Sequence, residues 1–132
     1  MEIEKVMFDY NIRPQELRYK NLVTYEGETI EIDGINGREV TCKEVGVLPF
    51  AHIRPLVITE ALLFKAGFDV EETIGLRKIY WLRNNFRCEL LANGQVAIYY
   101  TYEKTKISYC QFIHQIQNIY FDLTNIELNF IL

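Results

Sequence analysis

The sequence contains no apolar run that approaches the roughly 20 residues needed to cross a bilayer. Its first ten residues, MEIEKVMFDY, carry acidic side chains where a secretion signal has a basic region followed by an apolar one. These two absences predict a protein that is cytoplasmic and does not associate with a membrane.

Sequence motifs for phosphate binding and for catalysis are also absent. The sequence has no GxxxxGK[ST] or GxGxxG phosphate loop and no HExxH or GxSxG catalytic motif. Its three cysteines, Cys42, Cys88 and Cys110, are widely spaced and form no CxxC pair, so neither a disulfide framework nor a zinc site is indicated. We therefore expect buried, reduced thiols, no cofactor, no metal and no enzymatic activity.

An excess of basic charge is absent as well, since the formal net charge is -4. Residues 1–50 hold 10 acidic and 6 basic side chains, whereas residues 51–132 hold 8 of each. A dedicated duplex-DNA-binding protein is normally basic, so the composition argues against that class. It leaves room for a local basic patch in the second part of the chain.

Apolar side chains are abundant, at 49% of the chain, which is ample for a packed interior. They show their longest helical pattern between Tyr109 and Glu127. Spacings of three and four residues place the apolar side chains on one face, which predicts a helix that packs against the core. That face comprises Phe112, Ile113, Ile116, Ile119, Tyr120 and Leu123.

The first part of the chain has the pattern of a three-stranded β-meander. Strands are expected at 22–25, 28–33 and 38–43, with turns at Glu26-Gly27 and at 34–37. Three such strands need further chain to bury their apolar sides, or they belong to a small SH3-like barrel. The glycine and prolines of residues 45–55 predict a seam, which divides the chain into a lobe at 1–46 and an α+β lobe at 47–132. The alternative is one continuous domain.

The second lobe is predicted to combine a short helix, an antiparallel sheet and the long C-terminal helix. Thr59 is the expected N-cap of the short helix, and Gly67 its C-terminal stop. Asn84-Asn85 and Asn93-Gly94 mark tight turns between strands, the second of which leads into a strand at 95–102. The tail at 126–132 alternates and is expected to add a last strand or extended segment. The predicted fold class is α+β.

Three blocks of the sequence resemble a group of small proteins of gut anaerobes and of the prophages and mobile elements they carry. The blocks are IRPLVITEALLFKAGF at 53–68, YCQFIHQIQNIYFDLTNIEL at 109–128 and, more weakly, LRYKNLVTYEGE at 17–28. Lys20 stands where that group has glycine, and Asn125-Ile126 replaces a glycine–acid pair. The group has no established activity, so the resemblance implies a fold and an origin but no mechanism or site residue.

A cluster of neutral polar side chains lies on the long helix. His114, Gln115, Gln117 and Asn118 are close to Phe121, which falls outside the main apolar face. One interpretation is an interaction surface formed by His114, Gln115, Asn118 and Phe121, with the aromatic ring as its anchor. The other, which we favour, is that the helix is covered on both sides and that His114 and Gln115 satisfy buried backbone groups.

Cys110 and His114 are four residues apart, so on a helix they would lie on one side. A thiolate–imidazole pair could then support nucleophilic catalysis or contribute to a metal site. No further ligand or orienting group stands at a suitable spacing. A polar helix face without chemistry is therefore the preferred interpretation.

The segment RKIYWLRNNFR at 77–87 interleaves basic and aromatic residues. In a hairpin, Arg77, Trp81, Arg83 and Arg87 could stack single-stranded bases and hold phosphates. The alternative is a half-buried hairpin whose arginine stems pack on the rim of the core. Because the basic footprint is local, nucleic-acid binding is the less favoured interpretation.

These observations favour a small, non-enzymatic accessory protein of prophage or mobile-element type that binds another protein. Open strand edges also invite pairing between copies, which makes a homodimer the second partner considered. Single-stranded nucleic-acid binding through the hairpin at 77–87 is the alternative function.

Overall fold

The computed structural model describes residues 12–83, 85–100 and 105–132, and the fold is α+β with two antiparallel sheets and a C-terminal helix. The described chain divides into two compact units. The first unit comprises 12–57 and 112–118, and the second comprises the described residues of 58–111 and 119–132. No helix in these ranges is long and apolar enough to span a membrane.

The first unit contains a five-stranded antiparallel sheet in the order β4-β3-β2-β1-β5. Its strands are β1 (Leu22–Tyr25), β2 (Glu28–Ile35), β3 (Glu39–Cys42), β4 (Gly46–Pro49) and β5 (Arg54–Pro55). The predicted turn between β1 and β2 is confirmed, because Glu26 and Gly27 both have positive φ, at 50° and 81°, as a tight hairpin turn requires.

The core of the first unit follows the alternation of its strands. Val23, Ile32, Val40 and Ile53 are completely buried. Residues 112–118 complete the unit: Ile113 N–H donates to the carbonyl of Leu56 at 2.7 Å. Strand alternation therefore places the apolar side chains of these strands in the core.

The seam predicted at 45–55 does not interrupt the sheet. Residues 46–49 and 54–55 form β4 and β5, so the sheet has five strands and not three, and the first unit extends past residue 46. Pro49 and Pro55 each end a strand at an edge of the sheet, where a missing N–H costs no ladder hydrogen bond. Leu48 and Ile53 provide the buried side chains that hold this segment.

The second unit contains a five-stranded antiparallel meander in the order β10-β9-β8-β7-β6. Its strands are β6 (Asp69–Ile74), β7 (Arg77–Leu82), β8 (Phe86–Leu90), β9 (Val96–Tyr100) and β10 (Thr105–Cys110). The turn positions predicted at Asn85 and Gly94 have positive φ, at 60° and 87°. Asn84 and Tyr102, which were also part of the prediction, lie outside the described residues.

Strand β6 was not predicted. Its sequence DVEETI does not alternate, because a bulge between Val70 and Glu72 shifts the register against β7. All but one of its residues are exposed, since β6 is an edge strand. An edge strand with a bulge carries no period-two apolar signal.

The chain has two α-helices, α1 (Glu60–Lys65) and α2 (Ile113–Thr124), in its described part. Helix α2 begins four residues later than the pattern at Tyr109 suggested, because Tyr109 and Cys110 pair with β9. The apolar face is confirmed at its centre, where Ile116 and Tyr120 are completely buried.

The C-terminal end of α2 is set by Asn125, which has a left-handed φ of 61° and donates its N–H to the carbonyl of Phe121 at 2.7 Å. The tail beyond it forms no strand. It is held by the buried side chain of Leu128 and by a hydrogen bond from Ile131 N–H to the carbonyl of Lys65 at 2.9 Å.

Aromatic side chains join α2 to the sheet within the second unit. The rings of Phe86 and Tyr120 meet edge to face, with centroids 5.0 Å apart and planes at 88°. Phe68 also packs near Phe86, with ring centroids 6.1 Å apart. The predicted packing of this helix against the core is therefore confirmed in this unit, where α2 contacts the sheet.

Helix α1 is short, so its cap is expected to carry much of its local stability. The Thr59 hydroxyl accepts a hydrogen bond from Leu62 N–H at 3.2 Å. We expect Thr59→Ala to lower the free energy of unfolding by about 1 kcal/mol, because the amide loses its acceptor. Urea unfolding measures the change. Thr59→Ser keeps the acceptor and serves as the control, and equal stability of the two variants would contradict the assignment.

Candidate functional site

His114 is inside the first unit and not on a surface. Its side chain is completely buried, with Nε2 3.2 Å from Glu16 Oε1 and its ring stacked on Phe112 at 6.0 Å. Burial lowers the pKa of His114, and the nearby Glu16 carboxylate opposes this only in part. The buried Nδ1 atom has no hydrogen-bond partner among the described residues. Burial therefore favours the neutral imidazole, whose Nε2 is the ring atom in contact with Glu16.

Gln117 and Asn118 bond to backbone groups of the first unit. Leu22 N–H donates to Gln117 Oε1 at 2.9 Å, and Gln117 Nε2 donates to the carbonyl of Lys20 at 3.3 Å. Asn118 Nδ2 donates to the carbonyl of Glu16 at 2.7 Å. These amides satisfy backbone groups near the start of the first sheet, a role that the favoured interpretation had given to His114 and Gln115.

The interaction surface predicted at His114, Gln115, Asn118 and Phe121 is therefore corrected. His114 is buried, and the other three side chains are half-buried. Gln115 Oε1 accepts from Phe112 N–H at 3.1 Å, which is half of a capping box at the start of α2. The physical reason is that the polar side of this helix is covered, so its polar side chains must form hydrogen bonds within the protein.

The structure also does not support a catalytic or metal-binding pair of Cys110 and His114. Cys110 is the last residue of β10, so the helical spacing that would align it with His114 does not apply. Burial raises the pKa of the Cys110 thiol to about 12, which leaves almost no thiolate near neutral pH. Within residues 12–83, 85–100 and 105–132 no group of three His, Cys, Asp or Glu side chains could hold a metal ion.

The basic and aromatic hairpin gives a different result, because β7 and β8 bring three of its four residues to one face. Strand alternation puts Arg77 and Trp81 on the same side of β7, and Arg87 is the cross-strand partner of Trp81. Tyr99 is the partner of Arg87 on β9. Arg83 follows the end of β7 and is exposed in the turn. We call this side of the second sheet the Trp81 face.

Both arginines of the Trp81 face are held by carboxylates. Arg77 donates to both oxygens of Glu89, at 2.7 and 3.0 Å, and Tyr99 donates to the same carboxylate at 3.2 Å. Arg87 Nε donates to Glu71 at 2.7 Å. These contacts raise the pKa of both guanidinium groups, so they stay charged and fixed in place.

The bulge in β6 explains how this face acquires its acids. Side chains of successive strand residues point to opposite faces, but the extra residue at the bulge breaks that rule. Glu72 is the partner of Ile79 on the Trp81 face, and Glu71 reaches Arg87 on the same face. Two neighbouring glutamates therefore face the two arginines.

A groove of about 230 Å³ lies on the Trp81 face. Its lining combines an apolar floor with charged walls: Glu72, Ile74, Arg77, Ile79, Arg87 and Tyr99. The described walls contain no cysteine, serine or histidine that could act as a nucleophile or base. The groove can therefore offer shape, apolar contact and fixed hydrogen-bonding groups, which are the properties of a binding surface.

The sequence did not reveal the acids of this site. Glu89 stands in the apolar strand FRCEL, and its near-complete burial is an unusual position for an unpaired carboxylate. That pattern could have indicated an arginine partner. Glu71 could not have been found, because its position on this face depends on the bulge.

Comparison with known proteins gives no match. No family model matches the chain, and neither the curated proteins nor the solved structures contain a significantly similar one. The candidate site consequently rests on its own geometry.

The Gln117 amide is expected to stabilise the start of the first sheet. In Gln117→Ala the buried Leu22 N–H loses its acceptor, which typically costs about 1–3 kcal/mol. Urea unfolding measures the loss. Asp122→Ala, at an exposed position of the same helix, is the matched control. A loss no larger than that of the control would show that the amide is dispensable.

His114 makes stability depend on pH. Because the folded protein holds the pKa of His114 below its ordinary value of 6.5, the unfolded chain takes up the proton first as the pH falls. The free energy of unfolding should therefore decrease as the pH falls below 6.5. We expect His114→Gln to flatten this decrease, and His52→Gln, at an exposed position, to preserve it. Superimposable pH curves for wild type and His114→Gln would refute this origin.

Proposed function

We propose that this protein is a non-enzymatic binding module that recognises another protein through the Trp81 face. The observation that carries the proposal is the pairing of both arginines with glutamates around a groove with an apolar floor. The indole of Trp81 stands on the same face with 37% of its surface exposed. Aromatic and arginine side chains at the centre of a polar surface are typical of protein interfaces.

The distribution of charge supports a protein partner over a polyanion. A protein that binds nucleic acid gains affinity when its cations replace the counterions of phosphates. Arg77 and Arg87 are already compensated by Glu89 and Glu71, so a phosphate would have to displace a carboxylate in each case. Glu72 adds a further negative charge to the groove wall. A peptide surface with both signs of charge meets no such penalty.

We also propose a finer description of the first unit as a small SH3-like barrel. Strand β2 pairs with β1 along its first part and with β3 along its second, and an irregularity separates the two parts between Ile32 and Gly34. A single 3-10 turn at Phe50–His52 then returns β5 to β1.

The resemblance of the blocks at 53–68 and 109–128 motivates a further proposal, an accessory role for a prophage or mobile element in the cytoplasm.

One observation favours a second candidate function, the binding of single-stranded nucleic acid. Trp81, Arg87 and Tyr99 are consecutive cross-strand partners, so they form one row across three strands. An aromatic–cation–aromatic row of this kind can stack bases. In this alternative Arg77 and Arg83 would contact phosphates.

Site-specific photocross-linking tests the first proposal. A benzophenone amino acid replaces Trp81, and as a control it replaces Val47, which is exposed on the first unit. After irradiation in lysate of the native host, we expect protein adducts from position 81 and none of the same composition from position 47. The absence of adducts at position 81, or identical adducts at both positions, would contradict the proposal.

Titration of a labelled single-stranded oligonucleotide separates the two candidates. The protein-binding proposal predicts no saturable change in anisotropy at low salt. Saturable binding that weakens with the logarithm of salt concentration, and that Trp81→Ala abolishes, would instead establish the second candidate.

A further inference from the structure

The turn between β6 and β7 has an apolar side chain at its tip. Gly75, with φ of 60°, and Leu76 connect Ile74 to its cross-strand partner Arg77 in a two-residue hairpin turn. Leu76 is fully exposed, at 105% of its reference surface. Turn tips usually carry polar residues or glycine, and this leucine contributes nothing to the core of its own chain.

The tip adjoins the groove of the Trp81 face. Ile74 and Arg77, the residues on either side of the turn, both line the groove. Ile74 is itself half exposed, and Ile79 and Tyr99 continue the apolar floor. A projecting apolar side chain and an apolar recess therefore lie next to each other on one surface.

We infer that the Trp81 face docks on a second copy of this chain, with Leu76 of each copy in the groove of the other. This inference names the partner of the proposed binding site and rests on that proposal. A two-fold axis makes one patch serve both copies, so that a knob and a hole on the same surface are both filled.

The Trp81 face carries both signs of charge, and Arg77 and Arg87 are each already paired with a carboxylate of their own copy. Glu71 and Glu72 lie on the edge strand β6, and Arg77 and Arg87 lie on the two strands beside it. In an antiparallel face-to-face arrangement, each copy meets a surface that carries both signs of charge, so no carboxylate has to be displaced from its arginine. Pairing of two β6 edges centred on the strand would instead oppose the glutamates, and the bulge further disfavours it. Pairing through β6 is therefore disfavoured, and the inferred contact uses the face.

Sedimentation velocity of the purified chain over a wide concentration range tests the inference. We expect a reversible monomer–dimer equilibrium, and we expect Leu76→Lys to raise its dissociation constant by about 100-fold, because each dimer loses two buried leucines. Ile131→Lys, at an exposed apolar position in the tail, should leave the equilibrium unchanged. A wild type that is monomeric at the highest soluble concentration would overturn the inference, as would equal dimerisation of both variants.

A cross-link from the tip identifies the contact itself. A benzophenone amino acid at position 76, in a mixture of isotopically light and heavy chains, should give mixed adducts on groove residues such as Ile79 and Tyr99. Adducts confined to one isotopic form, or located elsewhere, would also overturn the inference. If self-association fails while position 81 still captures another protein, the proposed function stands; if neither position gives an adduct, both fail.

Discussion

Burial of the apolar side of α2 is the constraint on which the rest of the structure depends. Ile113 and Ile116 are completely buried in the first unit, and Tyr120 is completely buried against Phe86 in the second. Each such side chain removed from water contributes about 1.5–3 kcal/mol, which is large beside the net stability of a small domain. Because neighbouring positions on the same helix are covered as well, its polar residues have to find partners inside the protein.

This requirement decides where a binding surface can lie. The amides of Gln117 and Asn118 are occupied by backbone groups, so the polar side of α2 is not free to recognise a partner. The Trp81 face differs in its exposure to solvent. Its charged groups are fixed by one another and its tryptophan is exposed, which gives a rigid surface that loses little conformational entropy when it binds. The proposed function follows from that difference between the two surfaces.

Local rules predicted the features that depend on local chemistry. The cap at Thr59, the turn at Glu26-Gly27 and the buried face of α2 each follow from residue types and spacing, and each is present. The extension of the first sheet by β4 and β5 and the existence of β6 depend on pairing with distant strands, which a single sequence does not display. For the site, the sequence indicated Arg77 and Trp81. It did not indicate Glu71, the partner of Arg87, because a bulge sets the orientation of that side chain.

Native-state hydrogen exchange measured residue by residue tests the central claim about α2 most directly. If burial of its apolar side is the constraint described above, the backbone amide of Tyr120 exchanges only through global unfolding. Its exchange then has the same free energy and the same denaturant dependence as that of the Cys88 amide in the middle of β8, where Cys88 is the cross-strand partner of Tyr80. Exchange of the Tyr120 amide through a smaller local opening, with little denaturant dependence, would contradict the account.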